Sequence, residues 1–191
     1  MAGGAMRPQM SDTIGVFLDN NVWDFLFDHK IDLAVELPRE RFRISITREP
    51  EFEIDALEAR RPALKNFVDE AVARCEIATD VYFGFDDASL PADEQRVDGF
   101  GVGRWIGNKE RNFLDGQQYR RTLRKRPTKL YAQEADIALA ARSFDCVVIT
   151  CDKSGAFKDA AAEGGEIVFL EQLRPGSHTL RQLVEAAASN V

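Results

Sequence analysis

The chain has 191 residues, a net charge of −7 and 45% hydrophobic residues. This length suits one domain, and the hydrophobic content supports a buried core, which excludes a wholly disordered chain. No apolar stretch approaches the ~20 residues that span a bilayer, and Met1–Met10 lacks the apolar centre of a secretory signal. Three cysteines without metal-type spacing fit reduced thiols. We therefore expect a cytoplasmic protein with no membrane partner.

The first part of the chain alternates short apolar runs with helical patterns. Residues 1–11 are expected to be a flexible tail that precedes a single domain, 12–191. In chain order, the patterns then predict a strand at Thr13–Leu18, a helix at Asn21–His29, a half-buried strand at Phe42–Ile46, a helix from Pro50 to about Arg60 and a helix at Ala63–Arg74.

The same alternation resumes after a stretch that is hard to assign. Glu76–Phe83 fits either a strand or a helix end, and residues 84–129 are predicted to be an insertion or irregular region. Beyond it, the patterns predict a helix at Leu130–Arg142, a strand at Cys146–Thr150, a helix at Gly155–Glu163, a strand at Ile167–Leu170 and a helix at His178–Ala188 capped by Ser177. Strands that alternate with helices predict an α/β fold whose mostly parallel central sheet is flanked by helices on both faces.

Acidic residues stand where two of these strands end. Asp19 follows the first strand directly, Asp152 lies two residues beyond the strand Cys146–Thr150, and Asp136 lies in the first turns of the helix before that strand. Right-handed crossovers bring the carboxyl ends of parallel strands to one edge, where ligands of α/β sheets bind. Converging carboxylates repel one another and need a hard cation, so the pattern predicts bound Mg²⁺ or Mn²⁺.

Each of these acids also has a purely structural interpretation. Asp19 could cap the following helix, Asp136 could be an acid favoured by the helix dipole, and Asp152 could begin a turn. All three lie at the same end of apolar strands, which favours a shared site. Asn21 and Thr150 would support the acids by hydrogen bonds, or they are an ordinary helix-start residue and an ordinary strand-end residue.

Three segments resemble the motifs of PIN domains. Leu18–Val22 (LDNNV) is similar to the opening motif, in which an Asp that ends the first strand is closely followed by Asn. Ala135–Ala141 (ADIALAA) is similar to the helix that carries the third acid, and Val148–Asp152 (VITCD) to the strand-end Thr-x-Asp. The resemblance covers about Thr13–Glu58 and Leu130–Leu170, and it implies a PIN-like three-layer α/β/α fold.

The resemblance also implies a function, a metal-dependent endoribonuclease that hydrolyses RNA phosphodiesters with a carboxylate-bound Mg²⁺ or Mn²⁺ activating water. It would be a toxin of a toxin–antitoxin pair or an RNA-processing enzyme. Such families place a further acid about six residues after a Ser or Thr, and Glu53 has this spacing from Thr47; Glu51 and Glu49 are its rivals. The implied catalytic and metal-binding residues are Asp19, Glu53, Asp136 and Asp152.

The positive charge of this acidic chain is concentrated in one segment. Nine Lys or Arg and two acids lie between Arg104 and Lys129, a local net charge of +7. We expect the densest part of this segment to bind RNA phosphates. Alternatively, it is a solvated basic face or pairs with acidic residues elsewhere in the chain. The residues predicted to contact RNA are Arg120, Arg121, Arg124 and Arg126.

Two other classes of function fit parts of the sequence. The alternative is a catalytically inactive PIN-like module that binds RNA or protein. A phosphatase of the haloacid-dehalogenase type would need an Asp two positions after Asp19, where this chain has Asn21. The two histidines, His29 and His178, lie outside the motifs, which favours metal over a His base. Expected partners are RNA, an antitoxin or other protein, and a second copy of the chain.

Overall fold

The structure, a computed structural model, describes residues 13–48, 61–84, 95, 97–99, 103–117, 133–173 and 178–189. The predicted tail at 1–11, the predicted helix from Pro50 to about Arg60 and the dense basic stretch Arg120–Lys129 lie outside these residues. In the described residues the strands are β1 (Ile14–Leu18), β2 (Phe42–Thr47), β3 (Ala78–Asp80), β4 (Tyr82–Phe83), β5 (Val97–Asp98), β6 (Val147–Thr150) and β7 (Ile167–Phe169).

The helices largely follow the predicted pattern. They are α1 (Asn20–Asp28), α2 (Leu33–Glu36), α3 (Pro62–Cys75), α4 (Asn108–Gln117), α5 (Glu134–Ala141), α6 (Gly155–Ala162) and α7 (Leu180–Ala188), with 3-10 turns at Arg142–Phe144 and Leu170–Gln172. None of these described helices has the length and apolar character that a membrane span needs.

Five strands form one parallel sheet in the order β3-β2-β1-β6-β7. The apolar, β-branched content of β1, β2 and β6 is typical of strands buried on both faces. β4 and β5 form a separate parallel pair, in which β5 lies inside the region 84–129 and β4 lies just before it. The prediction of a mostly parallel central sheet is confirmed.

Helices cover both faces of this sheet. On one face α1, α2, α3 and α7 pack over residues such as Val16 and Leu18 of β1. On the other face Phe17 and Val148 contact a cluster built from α4, α5 and α6. Successive side chains of a strand point to opposite faces of the sheet, so Val16 and Leu18 contact one layer of helices and Phe17 contacts the other. The fold is therefore a three-layer α/β/α arrangement.

Three sequence predictions need correction. The strand Phe42–Ile46 is not half-buried, because β2 lies inside the sheet and only Arg43 of its residues is exposed. The helix predicted from Leu130 begins at Glu134, after Gln133 in the left-handed region (φ 66°). The last helix begins at Leu180 and is capped by Thr179, which forms a capping box with Gln182; Ser177 lies outside the described residues.

Candidate active site

The candidate site lies at the carboxyl ends of β1 and β6. The chain runs outward from β1 through β2 to β3, then returns to the other side of β1 to form β6 and β7. The strand order therefore reverses between β1 and β6. In open α/β sheets this switch point leaves a crevice outside the strand ends, where ligands bind. Asp19 directly follows β1, and Thr150 ends β6.

The strand registers place a row of polar residues at one level of this edge. Leu18 pairs with Ile149, and the Asp19 N–H donates to the Ile149 carbonyl at 3.0 Å, so Asp19 lies beside Thr150. On the other side, Phe17 pairs with Ser45 and Thr47 pairs with Asp80. Two residues further along from Phe17 and Ser45, Asp19 therefore lies level with Thr47 and Asp80. Side chains two residues apart in a strand point to the same face of the sheet. The side chains of Asp19, Thr47, Asp80 and Thr150 therefore lie on the same face as Phe17, which is the face that α5 covers.

The Asp19 carboxylate is held by two side chains from this edge. Its Oδ2 accepts a hydrogen bond from the Thr150 hydroxyl at 2.6 Å and another from the Asn21 amide nitrogen at 2.6 Å. Asn21 in turn accepts from the Cys151 N–H at 2.9 Å, which ties the start of α1 to the end of β6. The structure thus brings Asp19, Asn21 and Thr150 into direct contact, as the supporting role predicted for the last two requires.

Burial changes the acidity of Asp19. Desolvation by burial, with a smaller contribution from the charge of Asp136, raises the pKa of this carboxyl to about 6, although hydrogen bonds from Thr150, Asn20 and Asn21 act in the opposite direction. Asp136 lies in the first turn of α5, close enough for its charge to act on Asp19. A raised pKa beside a second carboxylate marks a place where a positive charge is missing.

Asp152 lies next to this pair but bonds elsewhere. Its Oδ1 accepts from the Ser154 N–H at 2.8 Å and from the Ser154 hydroxyl at 2.7 Å, and its own N–H donates to the Thr150 hydroxyl at 2.9 Å. Gly155 follows with φ 55°. The turn that was the structural alternative for Asp152 is therefore present.

The neighbouring Cys151 thiol is not an alternative nucleophile. Burial, with smaller contributions from the carboxylates of Asp19 and Asp24, raises its pKa to about 11. A thiol with that pKa is protonated near neutral pH, and the thiolate is the reactive form. The carboxylates are therefore the charged side chains at this edge.

The described residues fit a divalent cation in part. Among them, no group of three or more His, Cys, Asp or Glu lies close enough to hold a metal ion. Mg²⁺ is commonly bound through one or two carboxylates together with water and substrate phosphate, and Asp19 and Asp136 supply two. The Thr47 hydroxyl, at the same level, is fully buried and finds no hydrogen-bond partner in the described parts of the chain. Buried hydroxyls are usually satisfied, so a water or a further polar group fits beside it. Glu49, Glu51 and Glu53 lie outside the described residues.

A second polar cluster adjoins this edge, and sequence reasoning did not anticipate it. Arg142, at the end of α5, contacts the Asp80 carboxylate at 3.0 Å and lies 3.7 Å over the Tyr82 ring. Arg104 bonds the same Asp80 oxygen at 3.1 Å and also pairs with Glu110, whose side chain is fully buried. No local motif signals such a cluster, because its members come from four separate segments.

No protein-family model, curated protein or solved structure matches this chain.

Proposed function

We propose that the protein is a PIN-like, metal-dependent endoribonuclease whose active site is the crevice between the ends of β1 and β6. The observation that carries the proposal is the buried Asp19 carboxylate at the switch point of the sheet, with the carboxylate of Asp136 close enough to raise its pKa. The three motif-like segments support it, because each contributes residues to this one edge.

The side chains of the site would act as follows. Asp19 and Asp136 would hold Mg²⁺ or Mn²⁺, and the cation, when bound, supplies charge stabilisation at the scissile phosphate and lowers the pKa of water. Thr150 and Asn21 fix the orientation of the Asp19 carboxylate through its Oδ2. Glu53, from beyond the described residues, and Asp152 would complete the acidic set.

Hydrolysis of a phosphodiester suits this arrangement for an electrostatic reason. The attacked phosphate gains negative charge, and bare carboxylates would repel it. A cation held by Asp19 and Asp136 would offset their negative charge and supply charge stabilisation to the phosphate. A carboxylate of the acidic set would accept the proton that leaves the attacking water. This chemistry needs no histidine and no thiolate, and the thiol beside the site, Cys151, is protonated near neutral pH.

The proposal is tested by divalent-dependent cleavage of a mixed RNA substrate. The wild type should cleave in Mn²⁺ and not in chelator, and Asp19→Asn and Asp136→Asn should each reduce the rate at least a hundredfold. Asp28→Asn, which removes an exposed carboxylate at the end of α1, is the matched control and should keep full activity. Equal cleavage by the wild type and both site variants would contradict the proposal.

A catalytically inactive PIN-like module is the second candidate. It is favoured by the bonding of Asp152 to Ser154, which leaves two carboxylates in the described part of the site. Such a module would bind Mn²⁺ at Asp19 without cleaving any RNA. A cytoplasmic location, and RNA, an antitoxin-like protein or a second copy as partners, belong to both candidates.

A further inference from the structure

Trp105 is a large aromatic side chain that the fold leaves in solvent. It is 72% exposed, and Val35, on the opposite helical layer, is the other large hydrophobic residue exposed in the described part of the chain. Its ring lies 4.5 Å from the ring of Phe83, at an interplanar angle of 38°. Phe83 therefore covers one side of the indole, and the rest of the indole surface faces solvent.

The backbone around Trp105 is firmly attached to β4. The Phe83 N–H donates to the Arg104 carbonyl at 2.7 Å, and the Arg104 N–H donates to the Val81 carbonyl at 2.9 Å. At Gly103 a Cβ atom would lie 2.6 Å from the Phe83 Cα, so only glycine allows this close approach. The hydrogen bonds of Arg104 with Val81 and Phe83, together with the close approach at Gly103, thus fix the position of the backbone at Trp105.

Side chains beneath Trp105 strengthen this attachment. Arg104 bonds Asp80 at the end of β3 and pairs with the fully buried Glu110 of α4. Glu110 also accepts from the Gly107 N–H at 2.9 Å and from the Tyr82 hydroxyl at 3.1 Å. Buried ion pairs add little net stability, and a defined geometry is one benefit that such pairs can bring. We attribute this benefit to the present cluster, which holds the base of an exposed tryptophan.

The attachment lies on the same edge of the sheet as the candidate active site. Asp80 is level with Asp19 and two strands away, a separation of about 10 Å. Phe83 is three residues beyond Asp80, at most about 11 Å of chain. The backbone of Phe83 therefore lies within about 21 Å of that of Asp19, given the same strand spacing and chain length.

Two basic side chains follow Trp105 closely. Lys109 and Arg111 are exposed on the first turns of α4, shortly after Trp105. An exposed indole with basic neighbours on the side of the acidic edge matches a nucleic acid strand better than it matches an apolar peptide.

We propose that Trp105, supported by Phe83, is a stacking platform for an unpaired base of the RNA strand whose phosphodiester reaches Asp19. The inference deepens the proposed function and rests on it for the identity of the substrate as RNA. An indole that is already held in place loses little conformational freedom when a base stacks on it. Stacking tolerates any base, because every base has a π face, and it requires that the base be unpaired. The protein would therefore take single-stranded RNA with weak sequence preference, and duplex RNA poorly.

The test compares binding of a single-stranded RNA with binding of an abasic strand of the same length, in Ca²⁺. Trp105→Ala and Trp105→Leu should weaken binding of the intact RNA by between about 5-fold and about 150-fold, the range measured for loss of one stacked base. Trp105→Phe should retain most of the affinity. Binding of the abasic strand should not change in any variant. Val35→Ala, the matched exposed control, should bind both strands like the wild type.

Intrinsic fluorescence gives a second readout on the same samples. Trp23 is buried in the core, so a change on RNA binding reports on Trp105 and should disappear in Trp105→Phe. The inference is overturned if Trp105→Ala binds intact RNA as the wild type does, if it weakens both strands equally, or if the wild type binds no single-stranded RNA. A protein partner that binds at Trp105 would give the first of these results.

The outcomes separate the two proposals. Base-dependent binding through Trp105 without metal-dependent cleavage by the wild type would refute the nuclease and leave the stacking platform in place. Metal-dependent cleavage that needs Asp19, with an unchanged KM for single-stranded RNA in Trp105→Ala, would refute the stacking platform alone.

Discussion

Replacing Asp19 by Asn should stabilise the protein in the absence of metal. Burial and the charge of Asp136 raise the pKa of Asp19 from 3.8 to about 6. The folded state therefore holds the Asp19 proton more tightly than the unfolded state, and ionisation at higher pH weakens folding. A shift of this size corresponds to about 3 kcal/mol, fully present above about pH 7 and absent below about pH 3. Asn cannot ionise, so Asp19→Asn removes this cost.

Asn also keeps the contacts that Asp19 makes as an acceptor. Its amide oxygen can still accept from Thr150 and Asn21, so little hydrogen bonding is lost. We expect the free energy of unfolding to rise by up to about 3 kcal/mol at neutral and higher pH, equivalent to at most about 6–12 °C in Tm for a domain of this size. The gain should disappear as the pH falls through 6 towards 4, because wild-type Asp19 then becomes protonated.

Denaturant unfolding in chelator measures this effect. Wild type and Asp19→Asn are compared at a pH above 7 and again at a pH near 4, with Asp28→Asn as the exposed control. Addition of Mn²⁺ at the higher pH should stabilise the wild type more than Asp19→Asn, since only the former keeps both carboxylates. If Asp19→Asn is less stable than the wild type at both pH values, Asp19 is a structural residue and the argument for a cation fails.

Three further predictions concern the other parts of the account. Glu53→Gln should weaken Mn²⁺ binding in a calorimetric titration more than Glu49→Gln or Glu51→Gln, and equal affinities in all three would place the additional ligand elsewhere. Glu110→Gln should lower the free energy of unfolding by up to about 3 kcal/mol in denaturant, because it removes one of the two carboxylates, Asp80 and Glu110, that pair with Arg104. A variant in which Gln replaces the basic side chains should bind RNA more weakly in salt titrations, with the log–log slope reduced by about 0.7 per lost phosphate contact and unchanged Mn²⁺ affinity. The four replaced residues are Arg120, Arg121, Arg124 and Arg126.

β1, β6 and β7 could be predicted because each is a short apolar run bounded by polar residues, and β2 could be predicted because apolar residues alternate along it. The pattern around β3 (Ala78–Asp80) fitted a strand and a helix end equally well. Strands such as β1 and β6 are buried on both faces, and their sequences show this without help from other parts of the chain. Asp19 could also be located, because its position directly after an apolar run fixes it at the carboxyl end of a strand. The contact of Thr150 with Asp19 follows from the adjacency of β1 and β6 in a parallel sheet, and the contact of Asn21 follows from its position two residues after Asp19.

The remaining features depend on contacts between distant segments. The residues Asp80, Arg104, Glu110 and Arg142 of the second polar cluster come from four separate segments, and none of them stands out from its neighbours in the sequence. The exposure of Trp105 likewise depends on the hydrogen bonds of Arg104 with Val81 and Phe83, whereas a tryptophan is more often largely buried. The role of Asp152 could not be predicted for a different reason. Its position in the sequence fits both a metal ligand and the start of a turn, and the structure shows the turn.

The central claim is that Asp19 and Asp136 bind one divalent cation. A crystal structure of the protein soaked in Mn²⁺, with anomalous diffraction recorded for manganese, tests it most directly. The account predicts an anomalous peak in the crevice between β1 and β6, within about 2.2 Å of an oxygen from each of the two carboxylates. A saturating soak that gives no peak there, or a peak that touches neither carboxylate, would contradict it.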